Sequence, residues 1–251
     1  MTAAVGWPLA LGVLGAVFGS FIAALVIRWP QGRSVMRGRS ACDACGRTLH
    51  AGELVPLLSF VVQRGRCRGC GAAIDPRHVG IELAGAAIGF AAGLVSPGVG
   101  GCAGAVFGWL LLALAALDLT AFWLPDRLTG LLAVAGIAAG AAGLDPPIGD
   151  RAIGGIAGYA TLAGIAWGYK ATRHRDGMGG GDPKLLGAIG LWLGWRMLPA
   201  VLVIASLIGL GVALFAHLTG RGMTRTTALP FGAMLAVAAY PAWMVMIVLT
   251  P

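Results

Sequence analysis

The sequence predicts an all-α polytopic membrane protein, with about eight transmembrane helices and a cytoplasmic zinc-ribbon-like loop. Hydrophobic residues make up 58% of the 251 positions and charged residues only 11%, a balance too apolar for a soluble domain. The apolar runs approach the roughly 20 residues that a helix needs to cross the hydrocarbon of a bilayer. The predicted spans cover residues 6–28, 80–97, 101–121, 127–144, 152–169, 183–195, 197–219 and 228–249.

Composition divides the chain into three predicted segments. Residues 1–28 form a first transmembrane helix, residues 29–79 form a polar cytoplasmic loop that binds zinc, and residues 80–251 form the membrane core. The first segment lacks the basic residues that open a secretory signal, and Arg28 begins a run of arginines behind it. We therefore expect it to remain as a membrane helix.

The placement of basic residues predicts the orientation in the membrane. If the polar loop is cytoplasmic, sixteen of the 18 lysines and arginines lie inside, and only Arg151 and Arg196 lie outside. This is the positive-inside pattern of a multi-pass membrane protein with both termini outside. The net charge of +8 adds attraction to anionic lipid. Nucleic acid is not an expected partner, because the basic residues are not interleaved with exposed aromatics.

Four of the five cysteines form two Cys-x2-Cys pairs in the polar loop, CDAC and CRGC, with 21 residues between them. Two such knuckles can close four thiolates around a tetrahedral zinc ion. A disulfide or redox pair and unligated thiols are the alternatives, and a reducing cytosol disfavours disulfides. Four protein ligands leave no open coordination position, so the predicted zinc is structural. Its ligands are Cys42, Cys45, Cys67 and Cys70.

Two of the ten acidic residues lie at the ends of predicted membrane spans, where burial of an ionised carboxylate has an unfavourable free energy. Asp118 ends the third predicted span, within LLALAALDLTAF, and Asp182 begins the sixth span on the same side of the membrane. Two carboxylates that face each other tend to share one proton. The ionised member can take a proton from water as it attacks a peptide carbonyl, while the protonated member donates to the developing oxyanion. Asp118 and Asp182 are therefore the candidate catalytic pair.

The stretch GMGGGDPKLL supplies candidate supporting residues around this pair. Three consecutive glycines leave backbone without side chains, so that water and an extended substrate can approach the carboxylate. A lysine behind them can pair with the acidic residue of the preceding loop or contact lipid headgroups. The alternative is a helix-breaking loop that Asp182 merely caps. The supporting residues are Asp126, Gly179, Gly180, Gly181 and Lys184.

Several motifs, in order along nearly the whole chain, carry a resemblance to a known family. They are FGSF at 18–21, the cysteine knuckles, LLSFVVQRGRCRGC at 57–70, Glu82 in IELAGA, LDLTAFWLPDRLT at 117–129 and GMGGGDPKLLGAIGLWLGW at 177–195. The chain resembles the type IV prepilin peptidases, bacterial members of the GxGD membrane aspartyl proteases. In that family the aspartates of the LD and GGGD elements are the catalytic pair, which implies Asp118 and Asp182 here. Asp126, in the LPD element, matches a characteristic acidic position and is assigned support only.

The resemblance implies an activity, substrates and a second cofactor. Residues 80–251 would be a membrane peptidase core that cleaves the leaders of type IV prepilins and type II secretion pseudopilins, on the cytoplasmic side and after a glycine. Many members also methylate the new amino terminus with S-adenosylmethionine. Three positions depart from the pattern: Ala23 stands where asparagine is usual, Asp43 where proline is common and Glu53 where aspartate is more typical. Ala23 bears on methyl transfer more than on proteolysis, and no glycine-rich fingerprint marks a methyl-donor pocket.

Other functions are alternatives to a peptidase that also methylates. One is a peptidase without methyl transfer. Another is a proton-coupled transporter, which would place carboxylates near the bilayer midplane and broken helices in two repeat halves. A third is a membrane scaffold that docks a partner through its zinc loop, and this leaves Asp118 and the glycine run unexplained.

Overall fold

The computed structural model describes residues 2–36, 38–175, 177–220 and 229–249. Three arginines that are predicted on the inner side lie outside this part of the chain, and so does Asp176. The arginines are Arg37, Arg221 and Arg225.

The described residues form helices and loops without a β-strand, which confirms the all-α prediction. They hold nine α-helices, not the eight expected, because a short helix forms inside the polar loop as α2. The other eight coincide with the predicted spans within a few residues. The helices are α1 Thr2–Arg28, α2 Leu58–Val62, α3 Pro76–Val95, α4 Val99–Ala121, α5 Asp126–Ala141, α6 Ile148–Arg173, α7 Gly181–Leu193, α8 Leu198–Leu218 and α9 Phe231–Leu249.

Five segments of this described part are long and apolar enough to cross a membrane, which confirms a multi-pass protein. They correspond to α1, α3, α4, α8 and α9. Helices α5 and α7 have only 16 and 13 residues, fewer than a full crossing needs. Helix α6 is long enough, but Asp150, Arg151, Lys170 and Arg173 make it more polar.

The chain forms two compact units, Met1–Ala113 and Leu114–Pro251, and the division falls within α4. In the first unit, α1 and α3 approach until their backbones touch. A Cβ on Gly85 would clash with the carbonyl oxygen of Gly15, and the indole N–H of Trp109 donates to the carbonyl of Gly85 at 3.0 Å. The glycines of these helices therefore set the close spacing, as in other membrane helix pairs.

In the second unit, α7 packs against α5, α6 and α9. Ten of its 13 residues are buried, so this short helix is surrounded by protein and not by lipid. Gly190 allows close contact with α6, since a Cβ there would overlap the carbonyl of Gly154. The carboxylate-bearing start of α7 is thus held in a packed environment.

Arg151 of α6 is a buried cation, with 1% of its surface exposed. Arg151 is predicted on the outer side of the membrane, and its guanidinium lies inside the second unit and not on its surface. Its nitrogens donate to backbone carbonyls 2.6 to 3.1 Å away, in the second half of α5, in the α5–α6 connection and in the last turn of α7. The acceptors belong to Gly136, Leu144, Asp145, Pro146 and Leu191. One side chain therefore joins α5, the α5–α6 connection and α7.

We expect the Arg151→Met substitution to destabilise the protein, because five carbonyls lose their donor while remaining buried. The expected loss is on the order of 3 kcal/mol, visible as a lower Tm of the purified protein in detergent. Arg196→Met is the control, since that side chain is 73% exposed and its contacts are a 3.7 Å ion pair with Asp150 and a cation–π contact with Trp195. Equal Tm values for the two variants would contradict the structural role of Arg151.

Candidate active site

The two predicted catalytic aspartates meet in the second unit. Asp118 lies near the end of α4 and Asp182 is the second residue of α7, and each is only 6% exposed. Both carboxylates lie against Gly232, at the start of α9. A Cβ on Gly232 would be 3.0 Å from Oδ2 of Asp118 and 3.1 Å from Oδ1 of Asp182. These two oxygens are therefore no more than about 6 Å apart.

A backbone hydrogen bond orients Asp118. The N–H of Ala233 donates to Oδ2 of Asp118 at 2.8 Å. Ala233 lies in the first turn of α9, where backbone N–H groups have no partner within the helix.

A cavity of about 770 Å³ opens onto both carboxylates. Its walls combine the glycine-rich backbone before α7 with apolar side chains, among them Phe122, Trp123 and Phe231. Volumes of this size are typical of ligand sites. The mixture of bare backbone and apolar surface suits an extended peptide that lies beside the two acids.

The three glycines before Asp182 have different surroundings. A Cβ on Gly181 would lie 2.8 Å from Cβ of Leu124, a distance so short that one of the two residues would have to shift. A Cβ on Gly179 would make an ordinary 3.5 Å contact with Oδ2 of Asp182, and one on Gly180 would meet nothing within 4 Å. Gly180 occupies the N-cap position of α7, and Asp182 lies in the first turn of this helix.

Asp126 and Lys184 form an ion pair beside the site. The ammonium of Lys184 lies 2.7 Å and 2.9 Å from the two carboxylate oxygens of Asp126. Both side chains are largely exposed, and neither belongs to the residues that line the cavity. The pair joins the first residue of α5 to the first turn of α7.

The four cysteines of the knuckles come together in the first unit. Their sulfur atoms all lie within 4.8 Å of one another, and those of Cys42 and Cys70 are 4.0 Å apart. A tetrahedral zinc site with bonds of about 2.3 Å needs sulfur separations near 3.8 Å, so the cluster fits such an ion. Gly46 and Gly71 follow the pairs with φ of 72° and 71°, where a glycine turns the knuckle without strain.

The chemistry of the cluster also suits a metal. The N–H groups of Cys70 and Gly69 lower the pKa of the Cys67 thiol to about 6. This shift favours the thiolate form of Cys67, which is the form that ligates zinc. The structure supports a metal centre, such as zinc, on these four residues.

Two of the three unusual residues have partners near the knuckles. Asp43 contacts the guanidinium groups of Arg28 and Arg33, at 3.6 Å and 3.0 Å, and so ties the first knuckle to the end of α1. The carboxylate of Glu53 is buried, lies 2.6 Å from Arg47 and accepts the N–H of His50 at 3.0 Å. Asp43 and Glu53, although they differ from the residues usual in the family, therefore both have ionic partners in the loop.

Glu82 of α3 connects the loop to the helices of the first unit. Its buried carboxylate accepts the N–H of Leu57 at 2.8 Å, and Leu57 has a φ of 61°, which is rare for a leucine. Glu82 also lines a cavity of about 780 Å³ with Arg28, Asp43 and other loop residues. Ala23 is completely buried and is not among the lining residues, so its methyl group does not shape this cavity.

Sequence reasoning missed the contribution of α9 to the site. Gly232 and Ala233 contact the carboxylates, and Leu124 fills the space between Gly181 and Gly232. A signal was present in LPFGAM at 229–234, where proline and glycine open an apolar span on the same predicted side as Asp182. Tertiary packing was still needed to direct that end at Asp118.

Comparison with known proteins places the chain in a family. It matches the bacterial peptidase A24 N-terminal domain over residues 13–95 and the type IV leader peptidase family over residues 105–214. Three similar proteins are each named prepilin leader peptidase/N-methyltransferase. The protein of Aeromonas salmonicida (strain A449) is 40% identical over 82% of this chain and 71% of its own length. That of Burkholderia pseudomallei (strain K96243) is 41% identical, covering 89% and 81%. That of Dickeya chrysanthemi is 34% identical, covering 92% and 90%.

No solved structure gives a significant match to this chain. The family matches divide the chain much as the structure does: the first lies within the unit with the cysteine cluster, and the second covers both aspartates. On these matches, and on 40% and 41% identity to relatives over most of both chains, the chain belongs to the type IV leader peptidase family.

Proposed function

We propose that this protein is an integral membrane aspartyl endopeptidase that removes the leader peptides of type IV prepilins and type II secretion pseudopilins. The observation that carries the proposal is the meeting of two buried carboxylates, Asp118 and Asp182, at a cavity wide enough for a peptide. The names of the relatives support the substrate class. Neither a transporter nor a scaffold would explain why the two carboxylates lie together at a glycine-lined cavity.

The two carboxylates divide the work of hydrolysis. The ionised member accepts a proton from a water molecule as the water oxygen attacks the scissile carbonyl carbon. The protonated member donates its proton to the carbonyl oxygen, which would otherwise become an anion in apolar surroundings. Collapse of the tetrahedral intermediate breaks the C–N bond, and the departing amine takes up a proton from the pair.

The reaction takes place on the cytoplasmic side of the bacterial inner membrane. The positive-inside pattern puts the end of α4 and the starts of α5 and α7 on that side. The apolar segment of the substrate lies in lipid, and the junction that follows a glycine of the leader enters the cavity as extended backbone. The ion pair of Asp126 and Lys184 supports this end of α7 without taking part in the chemistry.

The first unit carries the second activity, methylation of the new amino terminus. The relatives are named for both activities, while the paired aspartates account for only one. The cavity beside Glu82 presents both cationic and anionic groups, as a zwitterionic donor such as S-adenosylmethionine requires. When bound there, the donor supplies an activated methyl group, and Arg28, Asp43 and Glu82 would hold its charges.

Asp118→Asn and Asp182→Asn are each expected to abolish leader cleavage, because one carboxylate alone cannot act as both acid and base. Mass spectrometry of a prepilin incubated with the purified protein in detergent measures the loss of the leader. Asp150→Asn is the control, since this carboxylate pairs with Arg196 and lies outside the cavity. Wild-type cleavage by either test variant would refute the assignment of the pair.

Addition of S-adenosylmethionine to the same reaction is expected to add one methyl group to the new amino terminus. The Glu82→Ala variant should still cleave the leader but lose most of the methyl transfer, because Glu82 anchors the loop at Leu57 beside the cavity. Cleavage without any methylation by the wild-type protein would show that it is a peptidase only. Methylation by Glu82→Ala at the wild-type level would exclude this cavity as the binding site of the methyl donor.

Cys67→Ser is expected to remove structural zinc, since an alcohol ligates the ion far more weakly than a thiolate. Elemental analysis of the purified protein should give about one zinc per chain for the wild type and little for the variant, whose loop should become sensitive to proteases. Cys102→Ser, outside the cluster, should retain the metal. Full zinc content in the Cys67 variant would exclude this cluster as the binding site.

A further inference from the structure

We infer that the start of α9, through Gly232 and the N–H of Ala233, is a positioning element that holds the two catalytic carboxylates together. The inference rests on the proposed peptidase function and deepens it. It adds a third helix to a site that the sequence motifs assign to the ends of α4 and α7 alone.

The first observation is the space at Gly232. A Cβ there would lie 2.6 Å from Cδ1 of Leu124, 3.0 Å from Oδ2 of Asp118 and 3.1 Å from Oδ1 of Asp182. The backbone of α9 thus touches both acids and the apolar residue packed between the glycines of α7 and α9. Any side chain at position 232 would displace at least one of these groups.

The second observation is the hydrogen bond from Ala233. Its N–H donates to the same Oδ2 of Asp118 that faces Gly232, at 2.8 Å and in buried surroundings. A first-turn N–H has no acceptor in its own helix, so the carboxylate satisfies a donor that would otherwise be buried without a partner. Asp118 is thereby fixed in one orientation by the backbone and not by a flexible side chain.

The third observation is the anchoring of α9 itself. Its start is buried from Gly232 to Ala236, and it packs against both α7 and α8. A buried, packed helix end cannot follow a displaced carboxylate without disturbing its neighbours. The separation of Asp118 and Asp182 is therefore set by the position of this backbone.

The test is the Gly232→Ala variant in the prepilin cleavage assay, with kcat and KM measured separately. The carboxylates need to move by only a few tenths of an ångström. We therefore expect kcat to fall by about 10-fold, less than the roughly 100-fold typical of a 1 Å displacement, while KM stays close to the wild-type value. A general loss of folding would instead lower Tm, zinc content and membrane yield together. Gly211→Ala in α8 is the control, because a Cβ there meets nothing within 4 Å.

Two further variants keep the inference open to refutation. Leu124→Ala combined with Gly232→Ala removes the clash with leucine but leaves the two carboxylates crowded, so it should not restore kcat. Ala233→Pro removes the N–H in a helical turn that tolerates proline, and it should lower kcat even if Gly232→Ala does not accumulate.

Rescue by the leucine variant, or wild-type kcat in Gly232→Ala or Ala233→Pro, would overturn the inference. The wild-type protein and Asp182→Asn are assayed in parallel. If the wild type shows no cleavage that depends on Asp182, the proposed function fails. If the wild type does cleave in that way and Gly232→Ala matches it, only the role of α9 fails.

Discussion

The placement of two carboxylates side by side, inside a part of the chain that is otherwise apolar, is the constraint on which the second unit depends. An ionised carboxylate away from water is unfavourable unless neighbouring groups stabilise it. The backbone N–H of Ala233 is one such group. The glycines at 181 and 232 serve the same end, since they allow three helix ends to approach one point. Close helix packing and the proximity of the two carboxylates therefore both require that residues 181 and 232 have no side chain.

The first unit solves a different problem, that of ordering a polar loop with little apolar core. The sulfur cluster closes the two knuckles, and buried or partly buried ion pairs join them to the rest of the unit. The carboxylate of Glu82, on α3, then accepts a hydrogen bond from the backbone N–H of Leu57. Because these contacts are polar, residues such as Asp43 can depart from the common pattern when a partner such as Arg28 is within reach.

The helices and the metal cluster could be predicted from the sequence because each has a local signature. Apolar runs mark the spans, and the spacing of cysteines marks the knuckles. The contact between Gly232 and the aspartates could not be predicted, since it depends on the packing of three helices distant in sequence. The burial of Arg151 could not be predicted for a similar reason: charge placement predicts only the side of the membrane, whereas the five carbonyls around its guanidinium depend on the fold. The short α2 was missed because five residues carry no clear periodicity.

The shortness of α7 has a consequence for the access of water. A helix of 13 residues rises only about 20 Å, and the 16 residues of α5 about 24 Å, against roughly 30 Å of hydrocarbon. Because protein surrounds α7, the depth that this helix does not span is left to irregular backbone and cavity, and not to lipid. The glycine-lined cavity opens beside the start of α7. Water can therefore reach Asp182 at a depth where ordinary bilayer would exclude it.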